Sequence, residues 1–229
     1  MPVTKRGNNM MRTIQLVVAC VAVLIATAGQ VKAGLIAGVT ATSSRGTFGS
    51  YTLSNLTNGV GLTPSISTTA THSTFFGDMW MNNSGGTVGN LTFDLGGTYS
   101  LSGISIWNYD YDDSQDRGVK DFTLESSSDG ISFTSLLGTT TLSIAQYLPI
   151  TNEPAQIFAL GNTTASHVRL NYLNNYGDPA LTGLSEVQFV GATAIPEPST
   201  IAMFGIGAGV MGLVSIRRRR REQKQATPA

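Results

Sequence analysis

The chain holds one cysteine, Cys20, and two histidines, His72 and His167. A single cysteine excludes an internal disulfide framework. With so few histidines, and no HExxH or nucleophile elbow, the common zinc and hydrolase motifs have no residues to fill them. Charge is scarce as well: Asp, Glu, Lys and Arg make up 12% of the 229 residues and sum to zero. That zero conceals a segregation. Lys5, Arg6, Arg12 and Lys32 precede the middle of the chain, and Arg217 to Arg221 with Lys224 follow it. Between Gly34 and Ser199, only Arg45, Arg117, Lys120 and Arg169 stand against thirteen Asp and Glu, a balance of about −9. An acidic middle repels phosphate backbones, which argues against nucleic acid as a partner. The same region lacks long apolar runs, internal repeats and amphipathic helices of useful length.

Long apolar runs occur only at the two ends. Lys5, Arg6 and Arg12 lead into the apolar stretch from Ile14 to Ala28, and Val31 and Ala33 stand at −3 and −1 of a cut before Gly34. This order reads as a secretory signal peptide over 1–33. A retained signal anchor is the alternative. A lipoprotein signal at Cys20 is a third reading, opposed by the apolar core running on past that residue. Cleavage before Gly34 leaves a mature chain without thiol chemistry. At the other end, Thr200 to Ile216 is an apolar stretch of about 17 residues, roughly 25 Å long as a helix against a bilayer core of about 30 Å. Snorkelling arginines cover the deficit. The arginine run stays cytoplasmic, which places the domain before it outside the inner membrane. Gly205 and Gly209 form a GxxxG pair, read as the ordinary glycine content of such segments rather than a pairing face.

Directly before this stretch stands Pro196-Glu197-Pro198-Ser199-Thr200. A PEP triplet, an apolar helix and an arginine cluster near the terminus, over 194–229, resemble the PEP-CTERM sorting signal. The resemblance implies a Gram-negative bacterium and an exosortase-type membrane enzyme that recognises and processes the motif. It also implies transient anchoring by the 200–216 helix, then delivery to the cell surface or extracellular matrix. Pro196 and Pro198 hold the recognition site extended, since proline cannot continue a helix and restricts its predecessor. A plain single-span anchor is the alternative.

The middle, 34–193, is long enough for one domain with a real core. Its apolar residues alternate with period two: Leu91, Phe93, Leu95; Ile104, Ile106; Phe122, Leu124; Val168, Leu170, Tyr172; Val187, Phe189. This predicts half-buried strands, with Asp129-Gly130 as a tight hairpin turn. Many short strands between Gly, Asn and Ser turns predict an all-β sandwich. The order "ATSS", "NLTNG", "LTFDLG", "SGISIWN", "RGVKDFTLESSSDGISF", "SHVRLNYL", "GLSEVQF" resembles the coagulation factor V/VIII type C, or discoidin-like, domain. That resemblance implies an eight-stranded jelly roll of the galactose-binding type, which binds glycans, lipids or proteins through loops at one end and rarely does chemistry.

The loop "WNYDYDDSQDRG", between two strands, carries the candidate site: Asn108, Tyr109, Asp110, Tyr111, Asp112, Asp113 and Arg117, with Trp80 and Tyr176 from neighbouring loops. Aromatic faces suit the C–H surface of a sugar, and amides and carboxylates its hydroxyls. Trp107 has two readings, a strand core residue or part of the loop, and Arg117 can instead pin the loop by pairing with Asp116. "HSTFFGDMWMNN", with Phe75 and Phe76, offers a second wall. His167 reads as a strand residue. Galactose-binding jelly rolls often hold a structural calcium, and the resemblance places Asn58 and Glu186 at that site, with Asn58 where an aspartate usually stands. The leading function is a non-catalytic module that binds carbohydrate or exopolysaccharide. The second is a structural or adhesive matrix protein that binds another protein. The third is a hydrolase drawing an acid–base pair from Asp110, Asp112, Asp113 and Asp116.

Overall fold

The computed structural model describes residues 32–194 apart from 66, 84 and 147–151, together with Gly205 and Gly209. Val31–Ala194 is one compact unit. The signal peptide, the membrane helix over 200–216 and Pro196-Glu197-Pro198 lie outside the described residues, save 32, 33 and the two glycines. No helix among the described residues is long and apolar enough to cross a membrane.

Among the described residues the unit has eleven strands: β1 (Gly34–Leu35), β2 (Thr40–Ser43), β3 (Leu62–Thr63), β4 (Thr71–His72), β5 (Trp80–Met81), β6 (Gly89–Asn108), β7 (Asp121–Ser127), β8 (Thr134–Thr141), β9 (Glu153–Pro154), β10 (Gln156–Tyr172) and β11 (Gly183–Thr193). Eight of them form one sheet in the order β1-β11-β6-β10-β7-β8, with β2 added on β6 and β5 on β11; β3, β4 and β9 form a second, small sheet. Every pairing between these strands is antiparallel, and an isolated parallel bridge joins Gly118 to Gly183 on β11.

The alternating residues explain the layering. Leu91, Phe93, Leu95, Ile104, Ile106, Phe122, Leu124, Val168, Leu170, Tyr172 and Phe189 are fully buried, and Val187 nearly so. Each such side chain contributes roughly 1.5–3 kcal/mol on leaving water. β6 changes partner midway. Its first part pairs with β2 (Ser43↔Leu91, Thr40↔Asp94), its second with β11 (Phe189↔Ile104, Val187↔Ile106), and β10 runs along both. The change falls at Gly96, whose φ of +71° is open to glycine but strained for other residues. The sheet thereby folds over its own core, where Phe93 and Phe189 meet edge to face at 5.2 Å and Trp80 and Tyr172 at 6.1 Å.

The expected hairpin joins β7 to β8, but the tight turn at Asp129-Gly130 is corrected to a connection over 128–133. The Asp129 carboxylate accepts the amides of Ile131 and Ser132 and the Ser127 hydroxyl, building a longer loop around one side chain. Those amide donors hold its carboxyl below the usual range. His167 lies half-buried in β10, its Nδ1 2.8 Å from the Ser166 hydroxyl.

Candidate functional site

β6 ends at Asn108, and residues 109–120 cross to β7. A network of backbone and side-chain bonds holds this loop against the connection between β10 and β11. Arg117 Nε donates to Asp178 Oδ2 at 3.1 Å, and the amides of Tyr176 and Asp178 both donate to the Asp116 carbonyl. Asp178 also accepts the amides of Ala180 and Leu181. Burial opposes both charges of the Arg117–Asp178 pair. The Asp178 and Tyr109 contacts nevertheless raise the guanidinium above its ordinary value, and the amides and Arg117 hold the carboxyl below its own. Arg117 thus pins the loop, the second of its two expected roles, but the partner is corrected: it is Asp178 from the connection between β10 and β11, not the neighbouring Asp116.

Four of the expected site residues are corrected by burial. Trp80 and Tyr109 are fully enclosed, the first in β5 opposite Leu184 and the second against Met79 and Met81. Gly183 makes room for Tyr109, because a Cβ there would strike the ring and the Trp80 carbonyl. Asn108 is buried because its amide donates to the Val119 and Ser143 carbonyls, both at 2.9 Å, and its carbonyl oxygen accepts the Tyr109 amide. Asp110, 2% exposed, accepts from Gln115 Nε2 at 3.0 Å, while its Oδ2 has no partner among the described residues. Burial raises the Asp110 carboxyl, offset in part by Gln115 and His72. Tyr176 is half-buried and its contacts lie elsewhere: its hydroxyl donates to the Leu142 carbonyl, and Lys120 Nζ sits 5.8 Å over its ring.

Tyr111 is half-buried, and Asp112 and Asp113 are exposed. Asp112 adopts φ +47°, in the left-handed region that aspartate tolerates better than most residues, and Gln115 Nε2 donates to its carbonyl. This turn leaves Asp112 and Asp113, the two residues after Tyr111 in the chain, exposed. The Tyr111 ring meets Phe76 edge-on at 5.4 Å; Phe76 meets Phe75 at 4.8 Å and Tyr51 at 5.9 Å; Tyr51 meets Phe48 at 6.4 Å. Three separate segments therefore converge on one aromatic cluster, with Phe75 58% and Phe48 41% exposed. Gly77 permits it, since a Cβ at 77 would collide with the Phe75 ring. Phe75 and Phe76 were legible as a wall. Phe48 and Tyr51 were missed; their only signal is a pair of aromatics within the Gly- and Ser-rich "GTFGSY".

A second polar cluster is buried where the small sheet meets the end of β6. His72 on β4 stands opposite Glu153 on β9, near Asp110. Burial lowers the His72 imidazole, with the Ser73 carbonyl and Asp78 acting the other way, and its Nε2 has no partner among the described residues. Glu153, 4% exposed, is pushed up to about 7, by burial first and then by the Asp110 charge.

Glu186 lies fully buried on β11, opposite Trp107. Its Oε1 accepts the Gly59 amide at 3.2 Å, and its Oε2 has no partner among the described residues. Burial pushes this carboxyl up to about 8. Asn58, next to Gly59, is exposed and turns its Oδ1 back onto the Val60 amide at 2.8 Å. No group of three or more His, Cys, Asp or Glu among the described residues could hold a metal. A hard cation here would take the orphaned Glu186 oxygen, and its remaining ligands would come from Asn58 Oδ1 and turn carbonyls. Such oxygens fit calcium.

No curated protein matches the chain. Among solved structures, the module CpGH89CBM32-5 from Clostridium perfringens, in complex with GalNAc-β-1,3-galactose, superposes with a TM-score of 0.52 at 15% identity, covering 69% of this chain and 100% of its own. The family 32 CBM of C. perfringens NanJ, in complex with galactose, gives 0.49 at 13% identity over 69% and 99%. A family 89 glycoside hydrolase from C. perfringens, in complex with 2-acetamido-1,2-dideoxynojirmycin, gives 0.47 at 20% identity over 71% of this chain; the chain spans only 15% of that enzyme's length. The all-β domain thus has the fold of the first of these modules, and residues 194–221 behind it match the PEP-CTERM protein-sorting motif, a signal for export and sorting to the cell envelope.

Proposed function

We propose that the domain is a non-catalytic carbohydrate-binding module that the sorting motif delivers to the cell surface or matrix of a Gram-negative bacterium, where it holds polysaccharide. The observation that carries this is the aromatic cluster of Phe48, Tyr51, Phe75, Phe76 and Tyr111, with Phe48 and Phe75 exposed and the exposed Asp112 and Asp113 following Tyr111 in the chain. Aromatic faces stack on sugar C–H surfaces, and acceptors beside them order the hydroxyls. The carboxyl groups best placed to exchange protons, Asp110 and Glu153, are buried, which favours binding over catalysis. An exosortase-type enzyme processes the tail, and the membrane helix anchors the chain until then. A glycan array probed with the full-length chain in detergent tests the reading. Binding should be weak, with Kd about 0.1–1 mM, because a shallow face exchanges hydrogen bonds with water. Phe75→Ala should weaken it at least ~10-fold and leave Tm within about 1 °C, as expected of an exposed side chain. A silent array, with matrix proteins captured instead, would replace this reading with an adhesive one.

We also propose that Glu186 and Asn58, with turn carbonyls, hold a structural calcium ion that ties the turn at 58–61 to β11. Its charge offsets the cost of a buried carboxylate. At ten times its Kd, calcium should stabilise the protein by about 1.4 kcal/mol. Glu186→Gln should remove that gain. A melting curve indifferent to both calcium and EDTA rejects the site.

A further inference from the structure

We infer that the aromatic face takes a cationic amino sugar, the unit of a de-N-acetylated polysaccharide, in preference to neutral or acidic sugars; this rests on the carbohydrate reading above and names its substrate class. The cluster presents both partners that an ammonium group needs. Phe75 and Phe48 are its most exposed rings, and Phe76 and Tyr111 complete a surface whose π faces attract a cation. Tyr111 leads directly into Asp112 and Asp113, both exposed, with exposed Asp116 three residues on. Asp78 closes the turn that carries Phe76.

No basic side chain of the loop balances these carboxylates. Arg117, the only cation between 109 and 119, is held by Asp178 at 3.1 Å. Lys120 lies over Tyr176, outside the cluster. A neutral sugar uses only the stacking surface. A uronate meets like charge. A sugar bearing an ammonium gains from rings and carboxylates together.

The test compares two hexasaccharides of β-1,4-linked glucosamine, one free as the amine and one fully N-acetylated, titrated into the full-length chain in detergent at low ionic strength. The amine form should bind about 10-fold tighter, and the ratio should shrink as added salt screens the exposed charges. The double variant Asp112→Asn, Asp113→Asn should bring the ratio toward one without moving Tm, since asparagine also accepts the left-handed turn at 112. Phe75→Ala should weaken both ligands. Equal or tighter binding of the N-acetylated form overturns the inference and leaves the carbohydrate reading standing, as does a hit on the glycan array when neither hexasaccharide binds. Spermidine competing as well as the amine hexasaccharide reduces the effect to bare charge and also overturns the inference. A silent array together with no binding of either hexasaccharide removes both readings.

Discussion

Replacing Trp107 by alanine should cost the domain at least ~3 kcal/mol and lower Tm by about 10 °C. The indole is fully enclosed at the end of β6, packed on Leu62, Ala70 and Ala155. Those three residues belong to the small sheet or its approaches, so the ring is the apolar link between that sheet and β6. Truncation removes the transfer energy of a large side chain and leaves a void. The loss does not stop there, because Trp107 Nε1 donates to the Ala70 carbonyl at 2.8 Å. Ala70 is itself fully buried, so its carbonyl would be stranded without water at about 1–3 kcal/mol. Trp107→Phe separates the two contributions: it keeps most of the filling and loses only the bond. It should also leave the glycan affinity of the exposed cluster unchanged, which a sugar-stacking tryptophan could not. A Tm drop of under 3 °C for the alanine variant would refute the packing role.

Trp107 also marks the limit of what the sequence conveys about this fold. Period-two alternation located the core strands, because a half-buried strand must repeat apolar residues every second position. It said nothing about where β6 stops. Asn108, Tyr109 and Asp110 look like the start of a polar loop, yet all three are buried: the Tyr109 ring packs on Met79 and Met81, and the side chains of Asn108 and Asp110 bond to Val119, Ser143 and Gln115. Such bonds have no period and leave no trace in composition. In the segment 75–81, Met79, Trp80 and Met81 turn inward and Phe75 outward, an order set by the pairing of Trp80 with Leu184 rather than by hydrophobicity. The exposed face was therefore half legible: Tyr111, Asp112, Asp113 and the Phe75–Phe76 pair could be read. Phe48 and Tyr51 could not, since only the tertiary fold carries their segment to the cluster. The closeness of Gly59 to Glu186 likewise needs a contact across 127 positions, which the resemblance to a known domain suggested and local patterns do not encode.

The stability of the domain should fall as pH rises from about 4.5 to 8, and Glu153 should account for a separable share of the fall. Its carboxyl moves from an ordinary 4.5 up to about 7 in the folded protein. A carboxyl raised on folding binds its proton more tightly in the native state. Its contribution is complete below the unfolded value and is lost as pH climbs through about 7. The shift sets an upper bound of about 3 kcal/mol. Its cause is burial on β9, reinforced by the neighbouring Asp110, whose own carboxyl is raised and whose effect has the same sign. Glu186, pushed up to about 8, adds to the slope. His72, opposite Glu153 in the β4–β9 pair, works in the other direction: its lowered imidazole gives stability that is present above its ordinary 6.5 and is lost as pH falls. Single profiles therefore mix opposing groups, whereas the difference between wild type and Glu153→Gln cancels most of what they share. Glutamine keeps the volume and cannot ionise. Measured by urea unfolding in EDTA, the variant should gain on wild type by up to ~3 kcal/mol between pH 4.5 and 8, with part of the gain passing through a relaxed Asp110. Parallel profiles across that window would show that Glu153 is ionised in the folded state at no cost, and that the cluster with His72 and Asp110 admits the charge.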